Sequence, residues 1–314
     1  MLKYRLPGQA SIQLDGTFEI VREMVNEGFV VSDFSQQKMA VFRKNNNCDW
    51  YFNSEEPYSV SEKEYLYTAK KLISTIKKMG LLKVVFSRVM TVSFDESKTE
   101  KLYEALMANY PDAFVYCISD PELGTWLGAT PELLLRQVKN HGFTVSLAGT
   151  KRNNDETPWG EKEILEQRFV SDFIEQTLQE CNVLPFEMGK VYTHSAGPVK
   201  HLKTDFSFTL NKNQRKELLQ RLHPTPAVSG LPRPWSYEVI AMSEKHDRCL
   251  YTGYIGLLGQ NDANVFVNLR CCQITKGKLH LYLGGGFTKD SVPELEWQET
   301  LHKSRTLLNL VETL

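Results

Sequence analysis

The amino-acid sequence predicts an α+β fold with large, mostly antiparallel β-sheets. Three observations lead to this prediction: strongly β-type runs such as residues 81–94, a hairpin that turns at residues 140–142, and amphipathic helices between the strand runs. Strand runs and hairpins mixed with intervening helices are typical of this fold class.

The length and composition indicate one globular domain. The chain has 314 residues, of which 41% are hydrophobic and 24% charged, so it can bury a large core. No linker, low-complexity tract or internal repeat divides it. We therefore predict a single domain over residues 1–314.

The charge balance and the distribution of apolar residues indicate neither a nucleic-acid partner nor a membrane. Lys and Arg number 37 against 38 Asp and Glu, a net charge of -1, so no basic excess indicates nucleic acid. No apolar run approaches membrane-spanning length, and MLKYRLPGQASIQLDG lacks the apolar centre of a signal peptide. The six cysteines form no CxxC pair, so we expect reduced thiols in a cytoplasmic protein.

The N-terminal part of the chain predicts one clear helix and several weaker elements. The clear helix is amphipathic and stops at Gly80, a residue that suits a left-handed helix terminus. The expected elements are a helix at 17–27, strands at 29–31 and 39–42, and the amphipathic helix at 62–79.

The middle of the chain begins with the β-type run LLKVVFSRVMTVSF, in which alternation puts Lys83, Val85 and Ser87 on one face. A helix with regularly spaced apolar residues follows a polar loop at 161–180. The other elements expected here are a helix at 97–110, strands at 113–119 and 125–128, the hairpin from residue 131 to 151, and strand-like pieces at 186–193 and 199–210.

The last third predicts a meander that leads into a terminal helix. The segment HPTPAVSGLPRP is too rich in proline for a helix or a central strand. The expected elements are short helices at 214–222 and 234–244, strands at 250–258, 264–274 and 278–283, and a long C-terminal helix.

The entry to the terminal helix suggests an anion site. Gly284, Gly285 and Gly286 predict a loop whose backbone N–H groups can approach an anion closely. Ser291 is the expected N-cap, and Glu294 stands in capping-box position. The alternative is an ordinary capped surface helix.

Four glutamates form two i, i+3 pairs on two helices: Glu163 with Glu166, and Glu296 with Glu299. Lys303 shares the face of the second pair. If the pairs face one another they form an acidic pocket suited to a hard cation such as Mg²⁺. The alternative is two solvated helix faces.

Further polar residues stand where strands are expected. Lys83 in an apolar strand suits a general base, because partial burial lowers the pKa of a lysine, and Glu132 suits a matching acid. Arg270 lies inside a strand-type run and could grip a carboxylate. Structural roles are the alternative for each of these, and for Thr150, His201 and Tyr251, which stand at strand ends.

Taken together, these residues resemble the chorismate-utilising enzymes, which include anthranilate, aminodeoxychorismate, isochorismate and salicylate synthases. The similar segments occur in family order from about Leu82 to the C-terminus. They are LKVVFSR, LGATPELL, LAGTKR, KEILEQRFV, VKHLKTDF, LHPTPAVSGLPR, YTGYIG, NLRCC and GGGFTKDSVPELEWQETLHK. The resemblance implies two large sheets packed as a sandwich with helices outside, and residues 81–314 carry its motifs.

The resemblance also implies residue roles. Lys83 matches the general base that activates water for attack at C2 of the substrate, and Glu132 the general acid that assists loss of the C4 hydroxyl. The Mg²⁺ ligands match Glu166 and Glu299, with Glu163 and Glu296 as their partners. The positions that hold substrate carboxylates or line its ring match Tyr251, Arg270, Gly284, Gly285, Gly286, Lys303, Thr150 and His201.

Within the family, Lys83 and Ala227 resemble the isochorismate synthases, which add water rather than ammonia. The resemblance therefore implies a Mg²⁺-dependent isomerase acting on chorismate, without an obligatory glutaminase subunit. Salicylate synthase, an ammonia-dependent amine-forming synthase and a non-catalytic chorismate-binding protein stay open, as does a menaquinone or siderophore pathway. Departures from the family pattern are Gln167, Cys271 and a shorter N-terminal portion at residues 1–80.

Overall fold

A computed structural model describes residues 1–196 and 199–314, with only the backbone described at Thr150 and Ala196. Within those residues, the strands in chain order are β1 (Leu2–Arg5), β2 (Ile12–Leu14), β3 (Gly16–Val21), β4 (Gly28–Ser32), β5 (Met39–Lys44), β6 (Lys83–Ser93), β7 (Phe114–Asp120), β8 (Gly124–Thr130), β9 (Leu133–Val138), β10 (His141–Arg152), β11 (Phe186–Met188), β12 (Tyr192–Ala196), β13 (Val199–Thr209), β14 (Gly230–Leu231), β15 (Tyr254–Leu258), β16 (Asp262–Val267), β17 (Cys271–Thr275) and β18 (Lys278–Phe287).

The helices surround these strands. They are α1 (Glu62–Met79), α2 (Thr99–Asn109), α3 (Glu161–Glu180), α4 (Lys212–Leu222), α5 (Arg233–Ser243) and α6 (Pro293–Val311), with a short 3-10 helix at Glu96–Lys98. As predicted, α1 ends at Gly80, which has a φ of 66°. No helix in the described ranges has the length and apolar character needed to cross a membrane.

The described strands form two antiparallel sheets. The first has the order β14-β6-β18-β17-β8-β7-β1-β2, and the second has the order β11-β13-β10-β9-β16-β15-β4-β5-β3, with β12 paired to β13. N-terminal strands enter both sheets, since β1 pairs with β7 and β4 pairs with β15. The single-domain organisation stays a prediction.

The sheets pack face to face over an aromatic core, and helices cover their outer faces. Phe114 of β7 stacks on Phe266 of β16 with 4.7 Å between ring centroids. On the outer face of the first sheet, Leu106 and Leu307 pack against the strands, while Ile174 does so on the second sheet. The predicted α+β sandwich with helices outside is therefore confirmed.

Some local predictions were wrong. Residues 17–27 do not form a helix, because Phe18 in β3 is buried in the core beside Phe42 of the paired strand β5. The strand expected at 250–258 begins only at Tyr254. The piece expected at 186–193 is divided between β11 and β12, which both pair with β13.

The entry to the terminal helix differs from its predicted structure in two ways. The glycine triplet is not a loop but the end of β18, where Gly284, Gly285 and Gly286 pair with β6. The expected capping box is also absent from α6: its N-cap is Val292, and the Ser291 hydroxyl donates to Glu296 instead, at 2.7 Å.

The expected strand 264–274 is likewise two strands, because β16 belongs to the second sheet and β17 to the first. The chain changes sheet between them, at Arg270, whose φ is 49°. The link from β8 to β9 crosses between the sheets in the same way, and it contains Glu132. The end of β16 is joined to this link by a hydrogen bond of 2.9 Å from the Val267 amide to the Glu132 carbonyl.

Candidate active site

One cavity of about 250 Å³ brings most of the predicted site residues together. Its walls come from both sheets and from α3 and α6. They include Lys83, Glu132, Glu163, Glu166, His201, Tyr251, Arg270, Gly284, Gly285, Gly286, Glu299 and Lys303. Glu296 lies beside this wall, and the Thr150 side chain is outside the described part of the chain. The structure therefore places most of the predicted residues at one cavity, and the roles assigned to them stay predictions.

The three glycines leave room for the side chains of the site. A Cβ on Gly284 would stand 2.7 Å from the Tyr251 hydroxyl, and one on Gly285 would stand 3.0 Å from Oε2 of Glu296. A Cβ on Gly286 would stand 2.7 Å from Cε of Lys83. The triplet thus serves close approach within a strand rather than turn formation.

Gly286→Ala is therefore expected to push Lys83 out of place. Because a misplacement of about 1 Å can cost ~100-fold in rate, we expect kcat to fall about 10- to 100-fold with a smaller change in KM. Steady-state kinetics at saturating substrate would measure this loss.

Gly142→Ala is the matched control, since a methyl there would overlap Phe208 on β13, away from the cavity. It should lower the melting temperature and leave kcat within about threefold, as expected for additive sites far apart. Equal losses of kcat in the two variants would show that the glycine acts only through stability.

Lys83 and Glu166 form an ion pair across the cavity. Lys83 is the first residue of β6 and is 6% exposed, and its Nζ donates to Oε1 of Glu166 on α3. Burial alone would raise the pKa of Glu166, but the Lys83 ammonium outweighs it and holds that pKa below its usual value. Glu166 is therefore charged at neutral pH.

Lys303 and Glu299 form a second pair on one face of α6. Their Nζ and Oε1 atoms are 2.6 Å apart, and the Lys303 Nζ also donates to the Gly284 carbonyl at 2.8 Å. The positive charge of Lys303 lowers the pKa of Glu299. The predicted i, i+3 and i+4 spacing thus places both charges at the cavity.

Glu296 has an oxygen that suits a cation. Its Oε1 accepts from Ser291, and its Oε2 is buried without a hydrogen-bond partner in the described chain. Burial and the nearby Glu299 carboxylate raise its pKa. A buried carboxylate oxygen without a donor is stabilised by a positive ion.

The glutamates nevertheless do not form a ready-made cage. Among the described residues no group of three or more His, Cys, Asp or Glu side chains could hold a metal ion. Glu166 and Glu299 are turned to lysines, and Glu163 bends back so that its Oε2 lies 2.7 Å from a Cβ placed on Gly160. Mg²⁺ commonly takes only one or two carboxylates and completes its shell with waters and an anionic ligand, so the donor set still fits this ion.

Glu132 has the electrostatics of an acid. It lies half-buried on the link between β8 and β9. Burial raises its pKa to about 7, against the opposing pull of Lys83, Lys303 and Arg270. Near neutral pH a large fraction of this carboxyl therefore keeps its proton, as a general acid requires.

Arg270, Tyr251 and His201 complete the polar wall. The Arg270 guanidinium donates to Oγ1 of Thr306 at 3.1 Å. Tyr251 is 4% exposed, and burial raises the pKa of its phenol, which stays protonated. Burial lowers the pKa of His201 to about 4, so the imidazole is neutral, with Nδ1 3.0 Å from the Gly149 carbonyl.

The structure adds wall residues that sequence reasoning missed. Lys162 of α3 lines the cavity, with its Nζ 4.0 Å from Oε1 of Glu296. Its position next to Glu163, four residues before Glu166, could have revealed it. Thr252 and the apolar residues Val85 and Leu269 were not predictable from local pattern, because distant segments bring them here.

Comparison with known proteins identifies the family. Residues 20–312 match the family model described as chorismate binding enzyme. The chain belongs to the chorismate-binding enzymes. Isochorismate synthase EntC of Escherichia coli strain K12 is 30% identical over 241 residues, which are 73% of this chain and 62% of that protein. The chain therefore matches less than two thirds of the length of this relative.

Solved structures of the family share the fold. The menaquinone-specific isochorismate synthase MenF from Escherichia coli has a TM-score of 0.84 at 19% identity, covering 99% of this chain and 88% of that one. Anthranilate synthase component I from Streptococcus pneumoniae TIGR4 has a TM-score of 0.75 at 14% identity, covering 98% and 90%. This chorismate-binding enzyme thus has the fold of its family, and the predicted family is confirmed.

Proposed function

We propose that this chain is an isochorismate synthase, an isomerase that converts chorismate to isochorismate reversibly with Mg²⁺. One observation carries the proposal: Lys83 and Glu132, a lysine and a carboxyl whose pKa burial raises, line the same cavity. A protein that only binds its ligand needs no such pair. The similarity of the chain to EntC, which is named an isochorismate synthase, supports the proposal.

The acid–base pair can catalyse the reaction in a single displacement step. The Lys83 ammonium must first lose a proton to solvent; the free amine then takes a proton from water, and the water oxygen bonds to C2 of the ring. The ring double bonds shift, the bond from C4 to its hydroxyl breaks, and Glu132 gives its proton to the departing hydroxyl. One water is consumed and one released, and the reverse reaction uses the same groups in opposite roles.

The cations of the wall suit a dicarboxylate substrate. Arg270 and Lys303 stand in the cavity near the glycine strand, and both lower the pKa of His201, so their field reaches across the site. Arg can bind a carboxylate through two parallel hydrogen bonds. We assign one carboxylate of chorismate to this region.

The proposed Mg²⁺ site is the glutamate side of the same cavity. Glu166 and Glu299 would hold the ion, with Glu163 and Glu296 as direct or water-mediated partners. Bound there, Mg²⁺ supplies positive charge that neutralises a substrate carboxylate and fixes its orientation. In this proposal water is the nucleophile, so no subunit that supplies ammonia is required.

The test is to incubate the protein with chorismate and Mg²⁺ and to resolve the products by chromatography. The proposal expects isochorismate, approached from either side of the equilibrium. Accumulation of fluorescent salicylate would indicate salicylate synthase, and an amine formed only with added ammonium would indicate an amine-forming synthase. Chorismate binding without turnover would overturn the enzymatic proposal.

Glu299→Gln is expected to weaken Mg²⁺ binding. Changing even an outer partner of a metal ligand typically costs ~10- to 100-fold in affinity, so we expect a loss of about 100-fold by titration calorimetry. Glu312→Gln is the control, because Glu312 pairs with Arg305 at 3.1 Å and does not line the cavity. Unchanged Mg²⁺ affinity in Glu299→Gln would contradict the site.

A further inference from the structure

A buried ion pair lies directly behind one wall of the cavity. Glu244 and Arg248 follow α5, and both side chains are 4% exposed. The guanidinium grips the carboxylate through two hydrogen bonds, from Nε at 2.8 Å and from Nη2 at 2.7 Å. Burial alone would lower the pKa of Arg248, but the Glu244 carboxylate outweighs it and raises that pKa.

The guanidinium also binds three separate segments of the cavity wall. It donates to the Val85 carbonyl at 2.8 Å, to the Val228 carbonyl at 2.9 Å and to Oγ1 of Thr252 at 3.3 Å. All three acceptor residues line the cavity. One side chain thus connects β6, the turn before β14 and the turn before β15.

The Glu244 carboxylate binds β6 from the same side. Oε1 of Glu244 accepts from the Ser87 amide at 2.6 Å and from the Ser87 hydroxyl at 2.8 Å. That hydroxyl also stands 3.0 Å from Nε2 of His246. The ion pair therefore holds the strand that begins with Lys83.

The turn that carries Tyr251 is held in an unusual backbone conformation. Thr252 has a φ of 59° and Cys249 a φ of 49°, a left-handed region that residues other than glycine rarely adopt. Such residues persist only where surrounding contacts enforce them. Here the contact of Arg248 with Thr252 and the hydrogen bond of 2.8 Å from the Thr252 amide to the Asn268 carbonyl do so.

We infer that Glu244 and Arg248 are positioning residues that set the geometry of the reaction without touching the substrate. They fix β6, and hence Lys83, relative to the turn that carries Tyr251. This inference rests on the proposed function. A role beyond stability follows because all three acceptors of Arg248 line the cavity, and Ser87, which donates to Glu244, lies two residues after Val85 on β6.

The experiment compares Arg248→Lys with Arg215→Lys. Arg215 is a matched control: it is 3% exposed and donates to the main-chain carbonyls of Asp262 and Asn26, at 3.0 and 2.7 Å, outside the cavity wall. A lysine cannot reproduce the forked donor geometry at either site. Melting temperature, kcat and KM for isochorismate formation are measured for both variants and for Arg248→Met.

We expect the melting temperature to fall by a similar amount in the two lysine variants. The kcat should fall about tenfold or more only in Arg248→Lys, and it should fall further in Arg248→Met. If kcat follows melting temperature equally in both lysine variants, the inference is overturned. If Arg248→Lys does not fold, Ser87→Ala is measured instead, because it keeps the ion pair and removes only the hydrogen bond from the Ser87 hydroxyl to Glu244. An unchanged kcat in Ser87→Ala would also overturn the inference. A wild-type protein that forms no isochorismate refutes the proposed function instead.

Discussion

Lys83→Met is expected to remove nearly all isochorismate formation while the protein stays folded. A positioned general base contributes ~10²–10⁴ in rate, so kcat should fall about a thousandfold. Methionine keeps an unbranched chain against Gly286 but has no group that accepts a proton. The measurement is the initial rate of isochorismate formation at saturating chorismate.

Lys3→Met provides the control for this variant. Lys3 is also a buried strand lysine, 7% exposed, and it forms an ion pair with Glu100 outside the cavity. Loss of that pair should cost stability but leave kcat within about threefold. A Lys83→Met protein that retains a tenth or more of the wild-type kcat would contradict the role of Lys83 as the base.

Glu132→Gln is expected to lower kcat about 100- to 1,000-fold, because the amide keeps the size of the carboxyl but donates no proton to the departing hydroxyl. Asp120→Asn is a suitable control: Asp120 is fully buried and accepts the Phe18 amide at 2.7 Å, outside the cavity. Rates for the two variants, measured at the same fraction folded, separate catalysis from stability.

The same residue predicts a pH profile. Burial raises the pKa of Glu132 to about 7, and an acid acts only while protonated. Measured relative to Glu132→Gln at each pH, the wild-type kcat/KM should therefore fall as pH rises through about 7, by roughly tenfold per unit well above it, because the ionised fraction of the acid grows. A ratio that does not change with pH would assign the titration to another group.

Long periodic elements were predictable because their signals are local. The spacing of apolar residues and the glycine at position 80 located α1 at Glu62–Met79, and α3 was predicted over Glu161–Glu180, as observed. The helix faces predicted from this spacing are those that line the cavity, with Glu163, Glu166, Glu299 and Lys303. Residue spacing was informative wherever one helix face carries the chemistry.

Elements fixed by contacts between distant segments were not predictable. Residues 17–27 have no local property that excludes a helix. Residues 17–21 form a strand only because they pair with β5. The run 264–274 shows continuous β character, although the chain changes sheet at Arg270. That change is what carries the guanidinium into the cavity, and pattern analysis along one strand could not reveal it.

The glycine triplet shows the same limit in another form. Three successive glycines predict a loop from propensity alone, yet Gly286 is a strand residue whose missing Cβ makes room for Lys83, which lies about 200 positions earlier in the chain. Likewise Ser291 has the residue type of a helix cap but binds Glu296. In both cases tertiary contacts at the site override the local preference.

In the proposed reaction, water from solvent adds at C2 while the C4 hydroxyl leaves. Turnover of chorismate in water labelled with a heavy oxygen isotope, followed by mass spectrometry of isochorismate and its fragments, tests this most directly. The mechanism predicts one heavy oxygen in the product, at the C2 hydroxyl. Isochorismate that carries only the original oxygen would mean that the hydroxyl migrates within the substrate, and it would contradict the assignment of Lys83 as the base that activates water.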